Sequence, residues 1–361
     1  MPDAYDHFEL RLKVCGPVAA DSPFDSGTLW GRILCALKSG PPEEQELADA
    51  WLDELRRKRQ DSPPLIVSEG FPCDLAGEPW LPLPLDVACE MQSSVSPERR
   101  KAYKAIENLP FKTFVRLCAE PVVNPEDLLR EWTESRERRP STVPALQTRV
   151  GMDRLSGAAR KGQLYTAAVS VYSSVPESDP EVLNAPLPQI VFYLKLRRQD
   201  GADIAAPVRE ALERIALEGW GNGKNQGLGR IRLVRNLAPW TPPPAPGNVT
   251  GFVSLSHFAP AAADPVKGRW KLQPKHPVPA PLLDGRRRVA LGEEGKWRVK
   301  SFLRLRAGSC LFREGERLKE FYGRTLDTLL DPPFDQDDEK LPDLYHYALS
   351  YPWPLCRRID D

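Results

Sequence analysis

The chain has few of the features that define secreted, membrane-bound or metal-binding proteins. No stretch approaches the ~20 consecutive apolar residues that cross a bilayer, and the N-terminus has no basic segment followed by an apolar one. The seven cysteines form no CxxC pair and no short Cys/His spacing, so we expect reduced thiols and no zinc site. These absences predict a cytoplasmic protein without a membrane anchor.

An excess of one charge sign is also missing. Fifty basic and fifty acidic side chains cancel, so attraction to a polyanion would have to come from local clusters of basic residues. Histidine is scarce, with only His7, His257, His276 and His346. None of the four lies on the first predicted helix, and a structural role is favoured for each.

Alternating and helical patterns order the chain into predicted elements. "HFELRLKVC" alternates as a half-buried strand, and "TLWGRILCALKSG" follows as a helix that Asp25 or Ser26 can cap. "QLYTAAVSVYS" and "QIVFYLKLRR" predict strands, residues 207–218 predict a helix, and "RIRLVR" predicts a strand. This order is typical of a ferredoxin-like or RRM-like domain.

A proline-rich segment predicts a domain boundary. "APWTPPPAPGN" at 238–248 separates a first domain, residues 1–240 with a long insertion at about 60–160, from a second, residues 249–361. The second half carries further strand patterns and a helical pattern at 314–330, which would make it a degenerate copy of the first. We therefore predict an α+β protein of two RRM-like domains.

Glycines concentrate in "GWGNGKNQGLGR" at 219–230, between a predicted helix and a predicted strand. Rossmann and Walker loops have the reverse order, strand then helix, so neither nucleotide motif fits. Glycines allow a sugar-phosphate chain to approach the backbone, where amides and basic side chains contact phosphates. A helix C-cap followed by a glycine-containing turn remains the alternative. Trp220 is the one tryptophan that we nominate for base stacking.

Several motifs in chain order resemble the RAMP superfamily of CRISPR effector complexes. They are "FDSGTLWGRILCAL", "VSEGFP" with "LPLPL", "TRVGMDRLSGAARKGQLYT", the glycine-rich loop, "GSCLF" and "LYHYALSYPWPL". Within that superfamily, the motifs resemble the Cas-five group in Csm-type (type III) complexes. Where that group carries two serines in the loop, this chain has Asn225 and Gln226, which keep hydrogen-bonding side chains.

The resemblance implies a non-catalytic RNA-binding subunit in antiviral defence. Such a subunit holds the 5′ repeat-derived tag of the guide RNA (crRNA) and contacts the large polymerase-like subunit and a backbone RAMP subunit. It implies no cofactor, no metal and no small-molecule substrate, and it makes the 60–160 insertion a thumb-like hairpin that presses on RNA. The predicted RNA-binding residues are Ser26, Thr28, Arg149, Arg154, Gly221, Gly223, Lys224, Asn225, Gln226, Gly227, Gly229 and Arg230.

Two other functions stay open at this point. A metal-independent RNA-processing endoribonuclease of the same superfamily would need a histidine with a pKa near neutrality. An assembly subunit with little RNA contact would not need the loop cations. The basic runs near residues 99–104 and 149–161 also fit a solvated helix face and loop. The acidic run "DQDDEK" at 335–340 is interpreted as an exposed loop without a metal.

Overall fold

The structure is a computed structural model of the chain. It describes residues 5–21, 23–56, 62–98, 100–152, 156, 159–179, 185–199, 203–275, 301–312, 318–326 and 345–357. Of the predicted features, Arg154, His276 and the acidic run at 335–340 lie outside these ranges.

Helices and strands alternate along the described chain. The helices are α1 (Ser26–Lys38), α2 (Pro42–Arg56), α3 (Leu85–Ser94), α4 (Arg100–Lys104), α5 (Phe111–Ala119), α6 (Pro125–Ser135) and α7 (Ala205–Glu218), with 3₁₀ turns at Arg136–Arg138 and Lys224–Gln226. The strands are β1 (Tyr5–Val14), β2 (Val18–Ala19), β3 (Leu65–Val67), β4 (Phe71–Pro72), β5 (Trp80–Pro82), β6 (Asn108–Pro110), β7 (Ser141–Met152), β8 (Ala159–Ser173), β9 (Gln189–Arg197), β10 (Ile231–Pro239), β11 (Gly251–Ser254), β12 (Gly268–Arg269), β13 (Leu272–Lys275), β14 (Phe302–Leu305), β15 (Cys310–Phe312), β16 (Tyr322–Gly323), β17 (Leu349–Ser350) and β18 (Pro352–Leu355). The mixture of helices and strands confirms the α+β class.

The first sheet has the order β10–β1–β9–β3, with every neighbouring pair antiparallel and β4 also pairing with β9. The apolar residues of the alternating patterns in β1 and β9 face one side of this sheet. Leu10 and Leu12 of β1 are buried in the same cluster as Phe192 and Leu194 of β9. The apolar stripes of α1 and α7 complete that cluster. Helix α7 begins at Ala205, two residues before the predicted start at Pro207.

The long insertion lies between β4 and β9 and has two parts. In the first part, β5 pairs with β6, and α3, α5 and α6 contribute to a second apolar cluster. The second part is a long hairpin of β7 and β8, attached to the rest of the chain where β8 pairs with β2. β3, which precedes these two parts, is a strand of the first sheet, and β8 continues to Ser173.

The second sheet repeats the strand order of the first. Its order β18–β11–β15–β12 places the fourth, first, third and second of its strands side by side, as β10–β1–β9–β3 does. The two sheets share the second apolar cluster, in which Tyr193 of β9 meets Val253, Tyr351 and Trp353. Trp240, at the start of the proline-rich segment, packs on Tyr193 with ring centroids 4.4 Å apart.

The predicted helix at 314–330 is wrong over residues 318–326, which lie within the described ranges. These residues form no helix, and Tyr322–Gly323 within them form β16. Gly323 has a φ of +90°, which a right-handed helix does not permit, and Tyr322 stacks on Phe252 at 4.0 Å between ring centroids. The helical spacing of the apolar residues was therefore overridden by packing against the second sheet.

Candidate nucleic-acid interface

The glycine-rich loop (219–230) leaves α7 and enters β10, and its two ends lie under other parts of the protein. The N–H of Trp220 donates to the carbonyl of Gly229 at 2.6 Å, and the N–H of Gly229 donates to the carbonyl of Pro17 at 2.8 Å. Gly229 has a φ of +67°, and a Cβ there would lie 1.8 Å from the Trp220 carbonyl oxygen. The loop base therefore requires glycine for close backbone packing, independently of any ligand.

The loop tip, Lys224–Gly227, is exposed to solvent. It forms a 3₁₀ turn in which the N–H groups of Gln226 and Leu228 donate to the carbonyl of Gly223, and that of Gly227 donates to the carbonyl of Lys224. A Cβ added at Gly227 would meet no atom within 4 Å. Three amides of the loop are thus committed to the turn, and the surface of the tip consists of Lys224, Asn225 and Gln226.

Trp220 does not form a stacking platform, so its nomination from the sequence was wrong. The side chain is fully buried, its ring stacks on Phe24 with centroids 4.7 Å apart, and its Nε1 donates to the carbonyl of Pro23 at 3.2 Å. Trp220 anchors the loop base to the segment that precedes α1.

The hairpin of β7 and β8 contacts the loop tip. Arg149 of β7 donates from Nη1 to Oε1 of Gln226 and from Nη2 to Oε1 of Gln147, the latter at 2.8 Å. Arg149 is directly opposite Tyr165 of β8, so the two side chains share a face of the hairpin. Two predicted RNA-binding groups, Arg149 and the loop tip, thus form one continuous surface.

The opposite face of the hairpin carries exposed apolar side chains on either side of the pair Thr148 and Thr166. Leu146, Val150 and Leu164 are 75%, 42% and 71% exposed, and the register places Val150 directly opposite Leu164. Sequence reasoning missed this face, because Thr148 stands between Leu146 and Val150 and interrupts the alternation.

Ion pairs reduce the free charge at the loop base. Glu218, the last residue of α7, accepts from Arg32 of α1 at 2.9 Å and from Lys224 at 3.2 Å, and Arg32 also donates to the carbonyl of Gly219 at 2.6 Å. Exposed pairs of this kind contribute about 0.2–1 kcal/mol, so an anion can compete for Lys224. Arg32 was not predicted, and it fixes the loop base to the first helix.

Ser26 and Thr28 lie at the start of α1 and differ in accessibility. Ser26 is 1% exposed, and its hydroxyl donates to Oε1 of Glu69 at 2.7 Å. Thr28 is half-buried, and its N–H donates to Oδ1 of Asp25 at 2.6 Å, which identifies Asp25 as the helix cap. Because its hydroxyl is buried and already bonded, Ser26 is withdrawn from the predicted RNA interface.

A cluster of charged side chains surrounds this helix start and joins the two halves of the chain. Lys275 pairs with Asp25 at 2.7 Å, and His257 Nδ1 lies 2.9 Å from Oε1 of Glu69. Burial opposes ionisation of Asp25, but the Lys275 ammonium and the hydrogen bonds from Lys275 and Thr28 lower its pKa to about 2. Asp25 is therefore ionised at neutral pH.

His346 belongs to the same cluster. Burial, together with the positive charge of Lys275, lowers the pKa of His346 to about 4. The unfolded chain, with a histidine pKa near 6.5, binds a proton more readily, so stability is complete above about pH 6.5 and falls as the pH drops toward 4. A neutral imidazole at pH 7 cannot act as a general acid.

We expect this titration to dominate the first phase of acid destabilisation. The free energy of unfolding of the wild type should fall by about 2–3 kcal/mol more than that of His346→Gln between pH 6.5 and 4. Denaturant melts at several pH values measure the difference. Equal slopes for the two proteins would show that His346 does not titrate in this way.

The residues that the structure describes hold neither a metal-ligand cluster nor a helix that could span a membrane. Those residues contain no group of three or more His, Cys, Asp or Glu side chains placed to hold a metal ion. None of the helices among them has the length and apolar character needed to cross a bilayer.

Comparison with known proteins gives structural neighbours only. No protein-family model matches the chain, and no curated protein matches it significantly in sequence. A chain of the Csm1-Csm4 cassette in complex with cA4 is similar over 98% of this chain and 100% of its own, at 17% identity and a TM-score of 0.49. A chain of the Csm3-Csm4 subcomplex of the type III-A CRISPR-Cas interference complex is similar over 97% and 98%, at 13% identity and a TM-score of 0.49.

A more distant neighbour comes from a related assembly. A chain of the type III-B Cmr-beta complex bound to cognate target RNA and AMPPnP covers 84% of this chain and 86% of its own, at 11% identity and a TM-score of 0.36. The structural neighbours are chains of Csm and Cmr complexes, and the sequence motifs resemble subunits of Csm-type complexes.

Proposed function

We propose that this chain is a non-catalytic RNA-binding subunit of a type III CRISPR effector complex, similar to the fourth Csm subunit. In this proposal it holds the 5′ repeat-derived tag of the crRNA and bridges the large polymerase-like subunit to the backbone RAMP subunit. The two sheets of matching strand order are its two ferredoxin-like domains, residues 1–240 and 249–361, and the hairpin of β7 and β8 is its thumb.

The contact between Arg149 and Gln226 carries this proposal. It places a basic side chain of the hairpin against the exposed tip of the glycine-rich loop, so that one strand of RNA could touch both. Lys224, Asn225 and Gln226 supply one cation and two amide side chains, which suit phosphate and sugar contacts. Arg230 is exposed at the exit of the loop and adds a second cation.

The absence of catalysis is part of the proposal, and three of the four histidines support it. His257 faces Glu69, His346 has a pKa of about 4, and His7 Nδ1 lies 3.4 Å from the Tyr351 hydroxyl. In the described ranges these histidines contact groups away from the loop tip. His276 lies outside those ranges, so cleavage has to be tested directly.

The test combines binding and cleavage on one RNA. Wild type and an Arg149→Ala/Lys224→Ala variant are titrated with a labelled RNA of the host's CRISPR repeat at several salt concentrations. Loss of two phosphate contacts should lower the affinity about tenfold and reduce the slope of log K against log salt by about 1.4. Arg130→Ala removes an exposed arginine of α6 that pairs with Asp127 and serves as the matched control.

Two results would contradict the proposal. Equal affinity and slope for the wild type and the double variant would indicate an assembly subunit with little RNA contact at this surface. Guide-length products formed from the repeat RNA in the presence of a chelator, and lost when a histidine is replaced, would identify an endoribonuclease instead.

A further inference from the structure

Two strands of the first sheet carry like charges directly opposite each other. Lys13 of β1 is paired in register with Arg232 of β10, so both side chains lie on one face with Cβ atoms about 4.5–5.5 Å apart. Like charges in this arrangement destabilise a sheet. Within the described chain, neither side chain has a carboxylate at ion-pairing distance, although Arg232 is exposed and Lys13 half-buried.

The neighbouring like-charged pair in the same two strands shows how a folded chain compensates such repulsion. Arg11 is opposite Arg235, and Glu9 accepts from both, at 2.7 Å from Arg11 Nε and 3.2 Å from Arg235 Nη1. The pair of Lys13 and Arg232 has no equivalent of Glu9 among the residues described. An anion from outside the chain would fill that role.

This uncompensated pair adjoins the glycine-rich loop. The N–H of Cys15, two residues after Lys13, donates to the carbonyl of Arg230 at 2.7 Å, and Gly229 is bonded to Pro17. Arg230 and Arg232 are two residues apart in the sequence, so along an extended strand their Cα atoms are about 6.6–6.8 Å apart. Lys13, Arg230 and Arg232 are called the cationic strip below.

The composition of the strip favours nucleic acid over protein as its ligand. Across the three strands β10, β1 and β9, the register places Arg232, Lys13 and Gln189 side by side, all of them polar. Protein interfaces are depleted of lysine and charge at their centres, whereas a basic stripe on one face is the electrostatic signature of nucleic-acid binding.

We propose that the cationic strip binds consecutive phosphates of single-stranded RNA that continues from the loop tip along the adjoining end of the first sheet, where β9 and β10 begin. This inference rests on the proposed function and extends the RNA path beyond the loop and the hairpin. The strip recognises the sugar-phosphate backbone and not base identity. The bound phosphates would also relieve the repulsion between Lys13 and Arg232.

The test uses a Lys13→Ala/Arg232→Ala variant of the full chain and a fluorescent oligouridine RNA. We expect the affinity to fall roughly five- to tenfold at low salt and the salt slope to decrease by about 1.4. The midpoint of thermal unfolding without RNA should be unchanged or higher, because the variant removes a repulsive pair. The matched control is Arg235→Ala, whose guanidinium already pairs with Glu9, and its affinity should stay within about twofold of the wild type.

The outcomes separate this inference from the proposed function. If the strip variant binds RNA as the wild type does while Arg149→Ala/Lys224→Ala binds weakly, the strip inference fails and the proposed function stands. If the wild type and both variants bind RNA equally weakly, with no dependence of log K on log salt, the strip inference and the proposed function both fail. If the strip variant loses binding to polyglutamate but keeps RNA affinity, the strip is a site for an acidic protein. Should the double variant not fold, Lys13→Gln and Arg232→Gln are measured separately, with half the slope change expected for each.

Discussion

Gly229→Ala should destabilise the protein by roughly 3–4 kcal/mol, while Gly227→Ala should cost about 1 kcal/mol. Both residues have positive φ, +67° and +82°, so the backbone strain of an alanine is similar at the two sites. The difference is steric. An alanine Cβ at Gly229 would lie 1.8 Å from the Trp220 carbonyl oxygen, whereas at Gly227 it would enter open space.

Denaturant melts of the two variants measure their stabilities. Measurements of RNA affinity then test whether the exposed tip has a role in binding. A large side chain at Gly227, such as Gly227→Tyr, should reduce RNA affinity more than it reduces stability, because the exposed tip approaches the ligand. Equal stability losses for Gly229→Ala and Gly227→Ala would mean that the loop base is not packed as described. Unchanged RNA affinity in Gly227→Tyr would indicate that the tip is only a turn.

Trp220→Ala should cost about 3–5 kcal/mol of unfolding free energy, because it empties a site filled by a fully buried indole. The indole stacks on Phe24, which itself packs edge-on against Tyr172 of β8 at 5.1 Å between centroids. Loss of Trp220 would therefore loosen the loop base and the attachment of the hairpin together.

Trp220→Phe is the matched control for this prediction. Phenylalanine keeps an aromatic ring against Phe24 and loses the Nε1 bond to the Pro23 carbonyl, so about 1–2 kcal/mol should be lost. If Trp220 were a platform for RNA bases, Trp220→Ala would leave the stability nearly intact and would weaken RNA binding. That outcome would contradict the buried position.

Local patterns were sufficient for much of the fold. Alternation predicted β1 and β9, the helical stripe predicted α1, and Asp25 was one of the two residues proposed as its cap. The position of the glycine-rich loop between a helix and a strand also followed from the sequence. These features depend on neighbours within a few residues, which a sequence pattern contains.

The remaining features depend on contacts between distant segments. The inward position of Trp220 is set by Phe24, and the buried state of Ser26 is set by Glu69. The non-helical conformation of residues 318–326 is set by packing of Tyr322 on Phe252.

The site shows the same dependence on distant contacts. The meeting of Arg149 with Gln226 and the pairing of Lys13 with Arg232 require the positions of the hairpin and of β10, and β10 carries register shifts that no local pattern reveals. The glycine count alone suggested an open loop, whereas the structure divides the loop into a packed base and an exposed tip.

The most direct test of the account is a map of ultraviolet crosslinks between the full chain, purified from its host, and the RNA that copurifies with it. Mass spectrometry of the crosslinked peptides should place nucleotides on the tip residues Lys224–Gly227 and on the hairpin around Arg149 and Tyr165, and sequencing should show a repeat-derived 5′ end. Crosslinks confined to other surfaces, with the loop and hairpin peptides recovered unmodified, would contradict the claim that these two elements hold the RNA.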